Sequence, residues 1–168
     1  LGGKLEDHFK TFNEKPMATA SIGQVHEATL HSGEEVVVKI QRPEIEKLIK
    51  NDISVLTFLA DLMEKYLPET RIVGPSQIVD EFFRTLTHEL DFVLESNNMT
   101  RIAENLKSNT KVVIPTVHRK FSTRRVLTLQ KLTGIRITDL EAMKAQNISA
   151  TDLVDTGARV FFKMVLED

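Results

Sequence analysis

The spacing of apolar residues changes period several times along the chain, and each change marks an element. Leu5 and Phe9 stand at i, i+4, enough for a short amphipathic helix at most, and Phe12 is assigned to a first strand. Residues 16–43, PMATASIGQVHEATLHSGEEVVVKIQRP, follow as a small-residue loop, a strand, the tight turn His31-Ser32-Gly33-Glu34 and a second strand containing Val36-Val37-Val38-Lys39. Alternation puts Val37 and Lys39 on one face of that strand and Val36 and Val38 on the other. Pro43, a residue favoured at a first helical position, then opens a stripe of Ile45, Leu48, Ile49, Ile53, Leu56 and Leu59, a long helix that Pro68 stops. A second long helix is predicted from Pro75 past Asn98, its apolar face made by Ile78, Val79, Phe82, Phe83, Leu86, Leu90 and Val93. Two β-branched runs, 112–117 and 125–129, predict two more strands, with Pro115 at a bulge or on an unpaired side. Residues 139–145 read as a short helix. Ser149-Ala150-Thr151-Asp152 is a capping box that opens a final helix, with Leu153, Gly157, Val160, Phe161 and Met164 on its buried face.

Composition narrows the classes. The 168 residues suffice for one domain, or one lobe and part of another, and 41% hydrophobic with 27% charged residues is ordinary for a globular chain. A net charge of −2 supplies no bulk attraction to nucleic acid, which is not expected as a partner. The absence of cysteine excludes disulfides and Cys-based metal sites. No apolar run approaches the roughly 18 residues that span a bilayer. The chain opens on Leu1 rather than Met and carries no visible signal peptide, so it is read as a piece of a longer protein.

The candidate chemistry lies in the 16–43 stretch. Protein kinases cover ATP phosphates with G-x-G-x-x-G-x-V and carry a lysine on a following strand within V-A-I-K. The same frame here is Ala18-Thr19-Ala20-Ser21-Ile22-Gly23-Gln24-Val25, with only the third glycine kept, followed by Val36-Val37-Val38-Lys39. Small residues let backbone N–H groups approach phosphate oxygens, Lys39 would reach the phosphates and Val37 would roof the base. The competing reading is a plain hairpin with a solvated lysine. On the second long helix His88, Asp91 and Glu95 fall at i, i+3, i+7, a spacing a metal site could use, but a solvated or ion-paired face is the better reading of the three.

ATASIGQVHEA followed by VVVKIQRP resembles the UbiB/AarF family of atypical kinase-like proteins, which replaces the glycine-rich loop with an alanine-rich one. The resemblance continues through HELDFVLESNN, IPTVHRKFSTRRVLTL and the helix ending FFKMVLED, so it covers nearly the whole chain. It implies an α+β fold: a kinase-like small lobe over 1–133, with a twisted antiparallel sheet of about five strands, a family-specific helical insert and long helices. Residues 134–168 would then begin the large lobe, stopping before the catalytic loop. It also implies site residues. Glu95 would pair with Lys39, as the αC glutamate does in kinases, and Glu89 with Asp91 would match the family's Glu-x-Asp motif. Two residues apart on a helix point about 200° apart, so those two cannot face one ligand unless the helix is distorted. Ala18, Thr19, Ala20, Ser21, Gly23 and Val25 would form the nucleotide loop, with Val37 and Lys39 beneath it. Gln130, where the family usually has glutamate, would open the hinge that meets the adenine edge.

The implied cofactors are ATP and Mg²⁺. The Mg²⁺ ligands and catalytic aspartate are expected beyond residue 168, since none of the five histidines begins the family's His-x-Asp motif, so the chain alone is expected to be inactive. The family's upstream Lys-x-Gly-Gln segment is not matched by Leu1-Gly2-Gly3-Lys4. The resemblance implies ATP hydrolysis or phosphoryl transfer by the full-length protein in support of ubiquinone biosynthesis, with lipid or membrane-associated biosynthetic proteins as partners. It places that protein in the bacterial cytoplasm at the inner membrane, or alternatively in the mitochondrial matrix. A pseudokinase-like scaffold using nucleotide as a conformational signal, and a nucleotide-independent adaptor, are the competing functions.

Overall fold

The computed structural model describes residues 1–166; the last two residues of the FFKMVLED run lie outside the described residues. A short helix α1 (Leu5–His8) leads into β1 (Phe9–Phe12), and β2 (Ala18–Thr19), β3 (Gly23–Leu30) and β4 (Glu35–Gln41) follow. With β5 (Val126–Gln130) they make a five-stranded antiparallel sheet in the order β1-β3-β4-β5, with β2 also pairing β3. Between β4 and β5 the chain passes through α2 (Ile45–Tyr66), α3 (Pro75–Glu89) and α4 (Phe92–Asn105), and after β5 it forms α5 (Leu140–Ala145) and α6 (Ala150–Leu166).

Alternation divides the sheet into two chemistries. Val36 and Val38 of β4 are buried with Phe9, Ala28 and Leu30, and Phe12, Ile40, Phe121 and Val126 pack around them. That cluster is the core on one face. The opposite face carries Val37, Lys39 and Gln41, and α4 lies against it: Phe92 is fully buried there and its ring sits 4.6 Å from Lys39 Nζ. A second cluster joins Ile45, Ile49 and Leu90 with Ile22, Ile53 and Leu86, so the loop between β2 and β3 is anchored to the start of α2 and the end of α3.

Three sequence expectations are corrected. The helix predicted to run unbroken from Pro75 past Asn98 is two helices. It breaks at Leu90 and Asp91, and Asp91, with extended backbone, caps α4 by accepting the Val93 N–H at 3.0 Å. A short acidic side chain competes well for an N-terminal amide, which is why the break falls there. The break also resets the helical phase: Val93, assigned to the apolar face, is 44% exposed, and Phe92 takes its place in the core.

The run 112–117 is not a strand. The Thr116 N–H, which a continued ladder would give to the Gln130 carbonyl, goes instead to the Gln130 Oε1 at 3.3 Å, and within the run only Val117 bridges β5, opposite Leu129. Pro43 is not helical, for α2 begins at Ile45 after Glu44 adopts a left-handed φ of 57°. The face of α6 assigned to a large-lobe core is exposed in this chain, with Leu153, Phe161 and Met164 at 40%, 60% and 37%. The Ser149 cap is present, its hydroxyl accepting the Asp152 N–H at 3.2 Å.

The α2–α3 hairpin has a cap of its own. Gly74 precedes α3 and offers no side chain, so Glu64 in the last turn of α2 accepts the Ser76 N–H at 3.0 Å. That backbone bond first, then the Ser76 hydroxyl, hold the Glu64 carboxyl below the ordinary glutamate value of 4.5. A carboxyl lowered on folding stabilises above its unfolded value, and the contribution is lost as pH falls through the folded one. The thermal midpoint of wild type is therefore expected to exceed that of Glu64→Gln at neutral pH. The gap should close on acidification below 4.5; thermal melts of both proteins across that range check it.

Candidate functional site

Strand register builds the site. Ala18 lies opposite Val25, Val25 opposite Lys39 and Lys39 opposite Leu127, a cross-strand row spanning four strands on the face that α4 covers. Val37, one step along the same face, lies between Glu27 and Leu129. The Lys39 Nζ donates to both Glu95 oxygens, at 2.7 and 3.0 Å, and rests over the Phe92 ring. A kinase αC helix can swing outward and part these heads; here they are closed. Carboxylate and ring hold the ammonium from two sides, which fixes a long, flexible side chain in one direction. A cleft of about 630 Å³ opens beside the pair, lined by Lys39, His88, Glu89 and Glu95 with Leu94 and Ile102.

The break in the helix separates the Glu-x-Asp pair. Glu89, at the end of α3, faces the cleft. Asp91 does not line it: one carboxylate oxygen caps α4 and the other lies 3.6 Å from Arg124 Nε. His88, Asp91 and Glu95 thus share no continuous helix face, and among the described residues no group of three His, Asp or Glu side chains is arranged to hold a metal ion.

The loop residues differ in what they do. Ala18 and Thr19 pair with β3, and Ala20 and Ser21 form an exposed turn closed by the Ala20 N–H donating to the Gly23 carbonyl at 2.8 Å. Arg42, just past β4, holds this turn from outside: its N–H donates to the Ile22 carbonyl at 2.9 Å and its Nη2 to the Ala20 carbonyl at 3.2 Å. Among the described residues the Ser21 and Ile22 N–H groups have no hydrogen-bond partner.

Gly23 is part of the sheet. It is buried opposite Gln41, its φ is not in the left-handed region, and a Cβ there would lie 2.6 Å from the Ile40 carbonyl oxygen. Gln130 ends β5, and its Oε1 accepts the Thr116 N–H at 3.3 Å, which turns that side chain to its neighbouring segment. Beyond it Lys131 pairs with Glu27 at 3.1 Å and Glu35 at 3.5 Å, and the Glu27 carboxylate holds its ammonium above the usual lysine value.

Three residues of this site escaped sequence reasoning: Phe92 beneath Lys39, Arg42 over the loop, and Gln41 beside Lys39. Period-2 alternation from Lys39 would have placed Gln41 on the same face. Phe92 was hidden by the unpredicted break.

A sheet of this order, with a strand lysine ion-paired to a glutamate from a helix crossing its face, defines a small lobe of the protein-kinase type. The chain belongs to the family described as the ABC1 atypical kinase-like domain, which it matches over residues 1–168. Over its whole length it is 37% identical to the probable protein kinase UbiB of Pseudomonas aeruginosa, covering 32% of that protein, and 34% identical to that of Marinobacter nauticus, covering 31%. The chain thus spans about a third of the length of the curated relatives it matches. A solved structure, the Rv3197–erythromycin complex from Mycobacterium tuberculosis, superposes with a TM-score of 0.69 at 28% identity, covering 82% of this chain and 34% of that one.

Proposed function

We propose that this chain is the nucleotide-cradling small lobe of an atypical kinase-like ATPase or phosphotransferase that supports ubiquinone biosynthesis at a bacterial inner membrane. The closed Lys39–Glu95 pair on the Ala18–Val25–Lys39 row carries the reading, because it sets a fixed cation one strand away from a loop of small residues. The residues fit a nucleoside triphosphate. Lys39 would hold the phosphates, the Ser21 and Ile22 amides would meet them from the loop, and Val25 with Val37 would cover the base. Mg²⁺, when bound, supplies charge neutralisation on the phosphates. Glu95 keeps the Lys39 ammonium directed, and the turn clamped by Arg42 keeps the amides in place.

The test is ATP binding to the full-length protein in the presence of Mg²⁺. At a hundredfold excess over Kd, binding should stabilise the fold by about 2.7 kcal/mol, raising the thermal midpoint of a protein about three times this chain's length by roughly 2–4 °C. No shift and no binding heat would sink the nucleotide reading. Binding without turnover would point instead to a scaffold that uses nucleotide as a signal.

A further inference from the structure

Gln41 lies two residues past Lys39 on β4, on the same face of the strand. Its side chain is buried, and its amide nitrogen donates to two backbone carbonyls, that of Leu90 at 2.5 Å and that of Arg124 at 3.3 Å. Leu90 is the residue at which α3 ends, one position before the Asp91 cap of α4. The Arg124 carbonyl also accepts the Phe92 N–H, at 3.1 Å. One side chain therefore ties together β4, the break between the two helices and the segment entering β5.

Its chemistry is one-sided. The Gln41 Oε1 is buried with no hydrogen-bond partner among the described residues, so the side chain serves here as a donor. A carboxylate in its place would set negative charge against two carbonyl oxygens, and a hydrocarbon would leave the Leu90 carbonyl without this donor. The break that Gln41 holds is where α4 takes its direction, and Glu95 stands in the first turn of α4. Strand β4 thus grips the start of α4 twice, through Lys39 to Glu95 and through Gln41 to Leu90. We infer that Gln41 is a positioning residue: by fixing the break between α3 and α4 it sets Glu95 against Lys39, and so keeps the ammonium aimed for a phosphate. Its importance for turnover rests on the nucleotide reading above; its effect on the ion pair does not.

The experiment reads the pair directly. Full-length wild type, Gln41→Met, Gln41→Glu and Glu95→Gln are acetylated with acetic anhydride at one pH, and the rate at each lysine is followed by mass spectrometry. Glu95→Gln gives the rate of unpaired Lys39. Lys131, paired with Glu27 on the same sheet, reports general loosening. Both Gln41 variants should label Lys39 severalfold faster than wild type, close to Glu95→Gln, with Lys131 unchanged. A wild-type rate in either folded variant, or an equal rise at Lys131, overturns the inference. So does failure of both variants to fold, since Gln41 would then serve core stability alone. ATP binding is measured in the same samples: a wild type that binds none defeats the nucleotide reading and leaves the labelling contrast intact.

Discussion

Replacing Lys39 by alanine in the full-length protein is expected to lower ATP turnover by on the order of 100-fold or more, the loss seen when one fixed electrostatic donor to a developing charge is removed. Its fold should survive. The Lys39 and Glu95 side chains are 22% and 37% exposed, so water reaches the carboxylate once the lysine is gone. Pairs of that exposure contribute about 0.2–1 kcal/mol, and the ammonium over Phe92 adds about 0.5–1 kcal/mol at a partly exposed position. Neither term approaches what unfolds a domain of this size. A large loss of turnover with a nearly unchanged melting midpoint is therefore the signature to measure. Wild-type turnover in Lys39→Ala would remove the lysine from the site altogether.

The contrast between what the sequence disclosed and what it concealed follows the range of the interactions. The hairpin, the facing of Val37 and Lys39 and the long helix after Pro43 all depend on neighbours within a few residues, and alternation or helical spacing reports them. The Lys39–Glu95 contact joins residues 56 apart, and only the resemblance to a kinase-like family pointed to it. The break at Leu90–Asp91 was hidden because the apolar residues on either side continue a helical period that outweighs the local Asp91 cap, while the groups that reinforce the break are remote. Gln41 and the Arg124 carbonyl come from elsewhere in the chain. The run 112–117 misled in the opposite sense. Its β-branched residues favour a strand, yet the ladder stops at Val117 because the Thr116 N–H turns to the Gln130 side chain rather than to its carbonyl.

Gly23 was assigned to the phosphate loop by its place in the glycine pattern, and its surroundings give it another duty. The carbonyl of Ile40 would be 2.6 Å from an added Cβ, and that atom belongs to the backbone of β4, which cannot rotate away as a side chain could. Gly23→Ala is expected to force β3 and β4 apart and to destabilise the domain by about 1–3 kcal/mol, the usual cost of overpacking. The thermal midpoint should fall by roughly 2–12 °C. Because Gly23 pairs with Gln41, and Val25 on the same strand pairs with Lys39, the displacement falls where the lysine is set, and ATP affinity should weaken with stability.

Gly157→Ala is the control. Apart from the adjoining backbone of α6 itself, no atom of the described residues lies within 4 Å of a Cβ at that position, and alanine in a helix interior is favoured over glycine by about 0.5–1 kcal/mol. The melts are run without nucleotide, because that condition separates the two duties. A glycine needed only to admit phosphate would cost nothing until phosphate arrives, whereas a glycine needed for the approach of β4 costs stability in the empty protein. An unchanged nucleotide-free midpoint in Gly23→Ala, with ATP binding lost, would return Gly23 to the phosphate loop and show that β4 can yield at Ile40.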